Sequence, residues 1–280
     1  MTLARTAMTL PTFATLALSL DQGIAEVRLN RPDKSNAMND AMWQEIRQAF
    51  EWVDATPEAR VAILSGAGKN FCAGIDLAML GSIQQRIAGP DGARSREALR
   101  RLILDLQDCL TAIERCRKPV LAAIHGACVG GALDLVTCCD MRYATSDAIF
   151  SIKEIDLAMV ADVGTLQRLP RLIGDGMSRE LAYTGRHVGA TEAATLGLIN
   201  REFASTEDLV AAVRELALAI AAKSPLATRG LKEVMNFSRD HSVADGLNFV
   251  ATWNAALLLS GDLEEAIAAQ RERRQPRFAD

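Results

Sequence analysis

Val120-Leu121-Ala122-Ala123-Ile124-His125-Gly126-Ala127-Cys128-Val129-Gly130-Gly131-Ala132-Leu133-Asp134 holds a strand, a turn and the start of a helix. The apolar run Val120 to Ile124, directly behind Pro119, predicts a short buried strand. Gly126 to Gly131 form a glycine-rich turn, and a helix is expected from about Ala132. An earlier stretch follows the same plan. Val61 to Leu64 predicts a buried strand, and a glycine-rich loop from Gly66 to Gly74 comes after it.

Residues 14–20 and 24–29 alternate apolar and polar side chains around Asp21-Gln22-Gly23, which predicts a β-hairpin. Asn39 is placed to cap a helix whose apolar face is Met42, Ile46, Ala49, Phe50 and Val53. Residues 82–97 are polar and punctuated by glycine and proline, so they are expected to form a mobile loop. Leu99, Leu102, Leu106, Leu110 and Ile113 then recur at helical spacing. Met141–Ala144 and Ala148–Ile152 read as further strands. From about residue 163 the pattern is mainly helical, and Ser242 with Asp245 makes a capping-box start. Strand–helix units followed by helices predict an α/β core with a C-terminal helical region. The expected division is a tail over residues 1–12, a core over 13–205 and a helical region over 206–280. Those last helices either cover the core of their own subunit or bury an oligomer interface.

Composition sets bounds. The chain has 280 residues, enough for one large domain or two small ones. Its net charge of -4 argues against a nucleic-acid binder working through a broad basic face. Six cysteines without a CxxC pair argue against a disulfide framework or a zinc site. No run reaches the roughly 18 apolar residues of a membrane span. Pro11 interrupts the apolar N-terminus, no small-residue cleavage site is clear before Asp21, and the C-terminus is not a peroxisomal address. These features lead to the expectation of a bacterial cytoplasmic protein.

Two glycine turns behind buried strands have two readings. They are ordinary strand–helix turns, or they converge to form an oxyanion hole from free backbone N–H groups. Neither matches a Walker loop or the dinucleotide fingerprint. Asp134, Glu154 and Asp162 are the candidate proton-transfer acids, because carboxyls in apolar surroundings have raised pKa values. Composition alone makes Asp162 a cap for a helix starting near Val163, and Glu154 a charge at a strand end. His125 reads as a structural histidine.

Four ordered motifs then resemble the enoyl-CoA hydratase/isomerase (crotonase) superfamily over roughly residues 14–270. They are Leu29-Asn30-Arg31-Pro32-Asp33-Lys34-Ser35-Asn36-Ala37-Met38, Phe71-Cys72-Ala73-Gly74-Ile75-Asp76-Leu77, His125 to Asp134, and Thr165-Leu166-Gln167-Arg168-Leu169-Pro170. The resemblance implies a crotonase-like ββα spiral core with a C-terminal helical region, assembled as a homotrimer or homohexamer. It implies an oxyanion hole from the N–H groups of Ile75 and Gly131, with Ala132 where the family has its third glycine. It also implies a CoA site along Lys34, Asn36 and Ala37 and the backbone near Ala73. The substrate is then an acyl-CoA, and no metal or other cofactor is implied. Hydratases of the family carry two glutamates, at the positions of Asp134 and Glu154, and glycine at that of Asp162. Three acids here look like the dienoyl-CoA isomerase pattern, with a hydratase or Δ3-Δ2 isomerase as the alternative. A non-catalytic binding protein would have lost the acids or the glycines.

Overall fold

A computed structural model describes residues 10–280; residues 1–9, most of the expected tail, lie outside the described residues. The chain opens with the expected hairpin, β1 (Leu16–Asp21) and β2 (Ile24–Leu29), paired antiparallel with Leu16 opposite Leu29. Helix α1 (Asp40–Ala55) is capped by Asn39, whose side chain accepts from the Met42 N–H at 3.0 Å. Its five predicted apolar residues are all buried, together with Trp43. Strand β3 (Val61–Gly66) follows, then α2 (Leu77–Arg86) and α3 (Gly92–Arg115).

The expected mobile loop over 82–97 is therefore corrected to a five-residue break, residues 87–91, between two helices. The reason is capping. The Asp76 carboxylate accepts from the Ala78 N–H, and that of Asp91 accepts from Ala93 and Arg94. Each satisfies backbone donors that would otherwise be orphaned at a helix start.

Next come β4 (Val120–Ile124), β5 (Ala127–Val129), α4 (Gly131–Thr137), β6 (Met141–Thr145) and β7 (Ile149–Ser151). A 3₁₀ turn over Glu154–Leu157 leads to α5 (Thr165–Arg168), α6 (Pro170–Ile173), α7 (Asp175–Thr184), β8 (Val188–Gly189), α8 (Ala190–Leu196) and β9 (Arg201–Phe203). Four helices close the chain: α9 (Thr206–Ala221), α10 (Pro225–Arg239), α11 (Val243–Leu257) and α12 (Gly261–Glu272). The capping box at Ser242 and Asp245 is present.

Two sheets result. The larger has the order β1-β2-β3-β4-β6-β9, parallel from β2 onward, and the smaller has the order β5-β7-β8. In the middle of the chain, β4 and then β6 lie in the large sheet while the strands that follow them, β5 and β7, lie in the small one. The β4–β5–α4 unit is the clearest case. In the preceding turn the second strand shrinks to one bridge, Cys72 to Cys128. One large core lies between the sheets and α1, α3 and α4. A second lies on the opposite face of the large sheet, where α9 packs Leu209, Val213 and Ala217 against Ile24, Val61 and Leu121. Helix α9 thus covers its own subunit. Helices α10 and α11 instead leave large apolar side chains exposed, among them Met235, Val243 and Leu247.

Candidate active site

The two glycine turns meet. Gly74 has φ +87°, and a Cβ placed there would lie 2.7 Å from the Val129 carbonyl and 3.3 Å from the Gly131 nitrogen. Only glycine permits both the left-handed backbone and that approach. A Cβ on Gly131 would stand 3.8 Å from the Ile75 nitrogen, so the two predicted donors are neighbours.

Why both N–H groups are free follows from local structure. Met38 bridges Ile75 in parallel fashion: the Met38 N–H donates to the Gly74 carbonyl at 2.7 Å, and the Asp76 N–H donates to the Met38 carbonyl at 2.9 Å. That pattern turns the N–H of Ile75 itself to the other side. Gly131 is the first residue of α4, whose opening N–H groups have no intrahelical acceptor. Among the described residues, neither N–H donates to a protein acceptor. Two adjacent free donors, one at a helix start, suit a thioester oxygen that gains negative charge.

Asn36 locks the turns in place. It is fully buried at φ +54°. Its Nδ2 donates to the carbonyls of Ala67, Asn70 and Phe71 at 2.8, 2.9 and 3.0 Å, and its Oδ1 accepts from the Arg31 N–H at 2.8 Å. Asn70 in turn accepts from the Ala127 N–H at 3.0 Å, tying the first turn to the second. The side chain of Asn36 is thus committed internally, while Pro32, Asp33 and Lys34 of the same loop are exposed. Lys34 is exposed, Ala37 is half-buried, and the Ala73 N–H donates to the Ser35 carbonyl at 2.9 Å. The two segments expected to meet CoA are therefore side by side.

The acids converge on the same place. Asp134 rises from the first turn of α4 and is completely buried. Its Oδ1 accepts from the Thr165 N–H at 2.5 Å, while its Oδ2 is buried without a partner. Burial pushes its carboxyl up to about 6, although the contact with Thr165 pulls the other way. Glu154 opens the 3₁₀ turn after β7, and its Oε1 is 3.3 Å from where a Cβ on Gly130 would stand. Its Oε2 is also buried and unpartnered. Burial, and then the negative charge of Asp134, push its carboxyl up to about 7. Buried acceptors without partners are rare, and in a cleft they are open to a ligand.

Asp162 has a more open setting. Its residue surface is exposed, yet the surrounding protein still raises its carboxyl, and both Asp134 and Glu154 feel its charge. The expected cap role is not seen. Helix α5 starts behind Gly164 with no cap from a side chain at that position; Asp134, from a different helix, takes the Thr165 N–H instead. His125 bonds the Gly68 carbonyl at 2.9 Å and is structural. An apolar hollow of about 300 Å³ adjoins the acid-bearing turn, lined by Ile152, Ile155, Met159 and Leu166 among others. Among the described residues, no group of three His, Cys, Asp or Glu side chains is set to hold a metal.

Residues 19–280 fit the family described as enoyl-CoA hydratase/isomerase. The chain belongs to that family. It is 50% identical to the peroxisomal Δ3,5-Δ2,4-dienoyl-CoA isomerase of Arabidopsis thaliana, over 97% of this chain and 99% of that protein. It is 45% identical to the mitochondrial Δ3,5-Δ2,4-dienoyl-CoA isomerase of Homo sapiens, over 92% of this chain and 79% of that protein. The enoyl-CoA hydratase of Bacillus anthracis superposes with a TM-score of 0.85 at 30% identity, covering 95% of this chain and 99% of that one.

For this member of the enoyl-CoA hydratase/isomerase family, the crotonase-like fold is as the motifs implied. The names of the first two relatives also agree with an isomerase rather than a hydratase. The cytoplasmic expectation is overturned: those relatives are peroxisomal and mitochondrial by name. Its premises were thiol content and chain ends, and a compartment is set by receptor-read addresses rather than by anything the fold requires. Sequence reading also missed the Thr165 N–H that holds Asp134. The motif Thr165 to Pro170 marked the segment, but nothing in its spacing pointed to a carboxylate 31 residues away.

Proposed function

We propose that this chain converts a 3,5-dienoyl-CoA to the 2,4-dienoyl-CoA, with Glu154 and Asp162 exchanging protons with C2 and C6. An isomerase is supported by relatives that carry that name at 38% to 50% identity. The observation that carries the mechanism is the pair Asp134 and Glu154, each with a buried unpartnered oxygen, at the Gly130–Gly131 turn, with Asp162 close enough for its charge to raise both.

The thioester oxygen accepts from those two N–H groups. Glu154 takes a proton from C2, and the electrons spread over the oxygen, C2, C4 and C6 as an extended (trienolate) anion. Asp162 delivers a proton to C6, leaving double bonds at C2–C3 and C4–C5. Hydrogen moves only as protons, so no electron acceptor enters the balance. A hydratase needs its two acids at one water between adjacent carbons; this reaction needs them four carbons apart, which suits a third acid farther along the chain. Asp134, fixed by Thr165, faces the intermediate and tunes Glu154.

A homotrimer, or a hexamer of two trimers, belongs to this reading. Val243 and Leu247 on α11 are 80% and 63% exposed, and Met235 on α10 is 70% exposed. Large apolar side chains left exposed on two packed helices suit a surface covered by a partner.

The acid assignment is tested by running the reaction in D₂O. In Asp162→Asn, turnover falls by about 10² to 10⁴-fold, while exchange of the C2 hydrogen with solvent persists. Glu154→Gln loses both. Wild-type turnover in Asp162→Asn would remove Asp162 from the mechanism.

The acidic limb of the pH profile is a second expected result. Glu154 acts as a base only when ionised, so kcat/KM rises with pH through about 7, where its carboxyl is placed. The charge of Asp134 helps to hold it there. Asp134→Asn removes that charge, and the limb moves to lower pH. A limb that stays put or moves up would contradict the coupling.

A further inference from the structure

Helix α3 carries three polar side chains on one face, at Gln107, Thr111 and Glu114, and all three contact the segment that bears the acids. Positions four and three residues apart on a helix share a face. The Gln107 Nε2 donates to the Asp162 carbonyl at 2.6 Å. The Arg168 Nε donates to the Glu114 Oε2 at 2.7 Å, and its Nη2 reaches the Thr111 hydroxyl at 3.4 Å. Arg168 and Glu114 are both largely buried, with side chains 17% and 13% exposed. Arg168 then folds back under Gly164, at φ +130°, where any Cβ would collide with its guanidinium. Gly164 immediately precedes Thr165, whose N–H holds Asp134.

We infer that the Glu114–Arg168 pair is a positioning device for the reaction, fixing the Gly164–Thr165 turn so that Asp134 and Asp162 stay aimed at the substrate. The inference rests on the proposed roles of those acids. Each link is a contact: α3 holds Arg168, the Arg168 N–H donates to the Gly164 carbonyl at 3.0 Å with its guanidinium packed against that turn, and the turn holds Asp134. Glu114 also ties this device to α10. Arg239 pairs with its carboxylate, and the Asn236 Nδ2 donates to its carbonyl at 3.4 Å.

A purely structural ion pair would leave the charge state of Asp134 alone; here burial raises that carboxyl most, and the Arg168 charge pulls it down. The groups that face Asp134 are Glu154, Asp162, Arg168, Cys128 and Cys138, and among these only Arg168 is cationic. Removing Arg168 should raise the Asp134 carboxyl. Removing the charge of Glu114 leaves Arg168 less neutralised and should lower it.

The test combines Arg168→Gln, Arg168→Lys and Glu114→Gln in the full chain. Asp134 titration is followed by carbon-13 NMR of labelled aspartate carboxyls, assigned with Asp134→Asn. The expected result is displacement upward in Arg168→Gln and downward in Glu114→Gln. Arg168→Lys keeps the charge and should titrate like the wild type. In turnover, Arg168→Gln should lose about 10²-fold in kcat with KM changed by less than about threefold, the size expected of a displaced catalytic group. Arg168→Lys should recover part of that loss. Coincident titrations in all four proteins would overturn the inference, as would equal losses of kcat in all three variants accompanied only by a lowered Tm. If wild type fails to turn over a dienoyl-CoA, the proposed reaction fails instead, and the opposite NMR displacements still decide the positioning role.

Discussion

Glu154→Gln is expected to lose about 10³-fold or more in kcat while the protein becomes more stable, not less. Loss of a positioned general base costs typically 10² to 10⁴-fold, and here the same group begins the reaction. The gain in stability follows from its setting. The Glu154 Oε2 is buried with no partner, and burial and Asp134 both push the carboxyl up. Its folded pKa, about 7, lies above the ordinary value of 4.5, so the folded state binds the proton more tightly than the unfolded chain does. Stability from this group is therefore full below about pH 4.5 and declines as pH rises through about 7. Gln cannot ionise, so at pH 8 the variant should gain about 1 kcal/mol after allowance for its partial exposure. Urea unfolding at pH 5 and pH 8 checks the sign: the gain should be present at pH 8 and nearly absent at pH 5. A variant less stable at pH 8 would contradict a Glu154 carboxyl raised by burial and by Asp134.

Gly74→Ala is the second large effect. The added Cβ meets the Val129 carbonyl at 2.7 Å, and φ of +87° strains any L side chain. Left-handed strain of this kind costs on the order of 1–3 kcal/mol. The collision is with backbone, so it is relieved only by parting the two turns. Parting them separates the N–H groups of Ile75 and Gly131, and loss of one oxyanion donor costs about 10² to 10³-fold in kcat. Both a lowered urea midpoint and that kinetic loss are expected. The contrast is Gly131→Ala, whose Cβ would meet the end of the Met38 side chain at 2.8 Å. A methionine tip can move, so this variant should keep most of its stability. If Gly74→Ala retained wild-type kcat, the oxyanion hole would not lie between these turns.

Much of this architecture could be read from local pattern, and the exceptions have physical causes. The hairpin, the Asn39 cap and the buried face of α1 are set by residues within one turn or one strand pair, where alternation and capping chemistry act. Strands β5, β8 and β9 span three, two and three residues, and each is a strand only because a distant neighbour pairs with it. Cys128 inside a glycine turn has no local reason to be extended; it becomes so by pairing with Phe150 on β7. Helix α2 was hidden because its capping Asp76 ends what reads as a glycine loop.

At the site, residue types and motif order identified the glycines and the three acids. Their convergence is tertiary and was not visible. Asp134 and Thr165 meet across two units of the spiral, and Arg168 reaches Glu114 across 54 positions. Asn36 shows the converse. Its place in a motif suggested ligand contact, but every polar atom of its side chain is engaged inside the protein. Motif membership there marks a clamp on the loop.

Three acids around one oxyanion hole are expected to move two double bonds rather than add water. That expectation is tested most directly by mixing purified protein with 3,5-octadienoyl-CoA and, separately, with crotonyl-CoA, and following ultraviolet absorbance. Growth of the 2,4-dienoyl band, abolished in Asp162→Asn, with little loss of the crotonyl-CoA enoyl band, is the predicted result. Rapid hydration of crotonyl-CoA with no shift of the diene would contradict it.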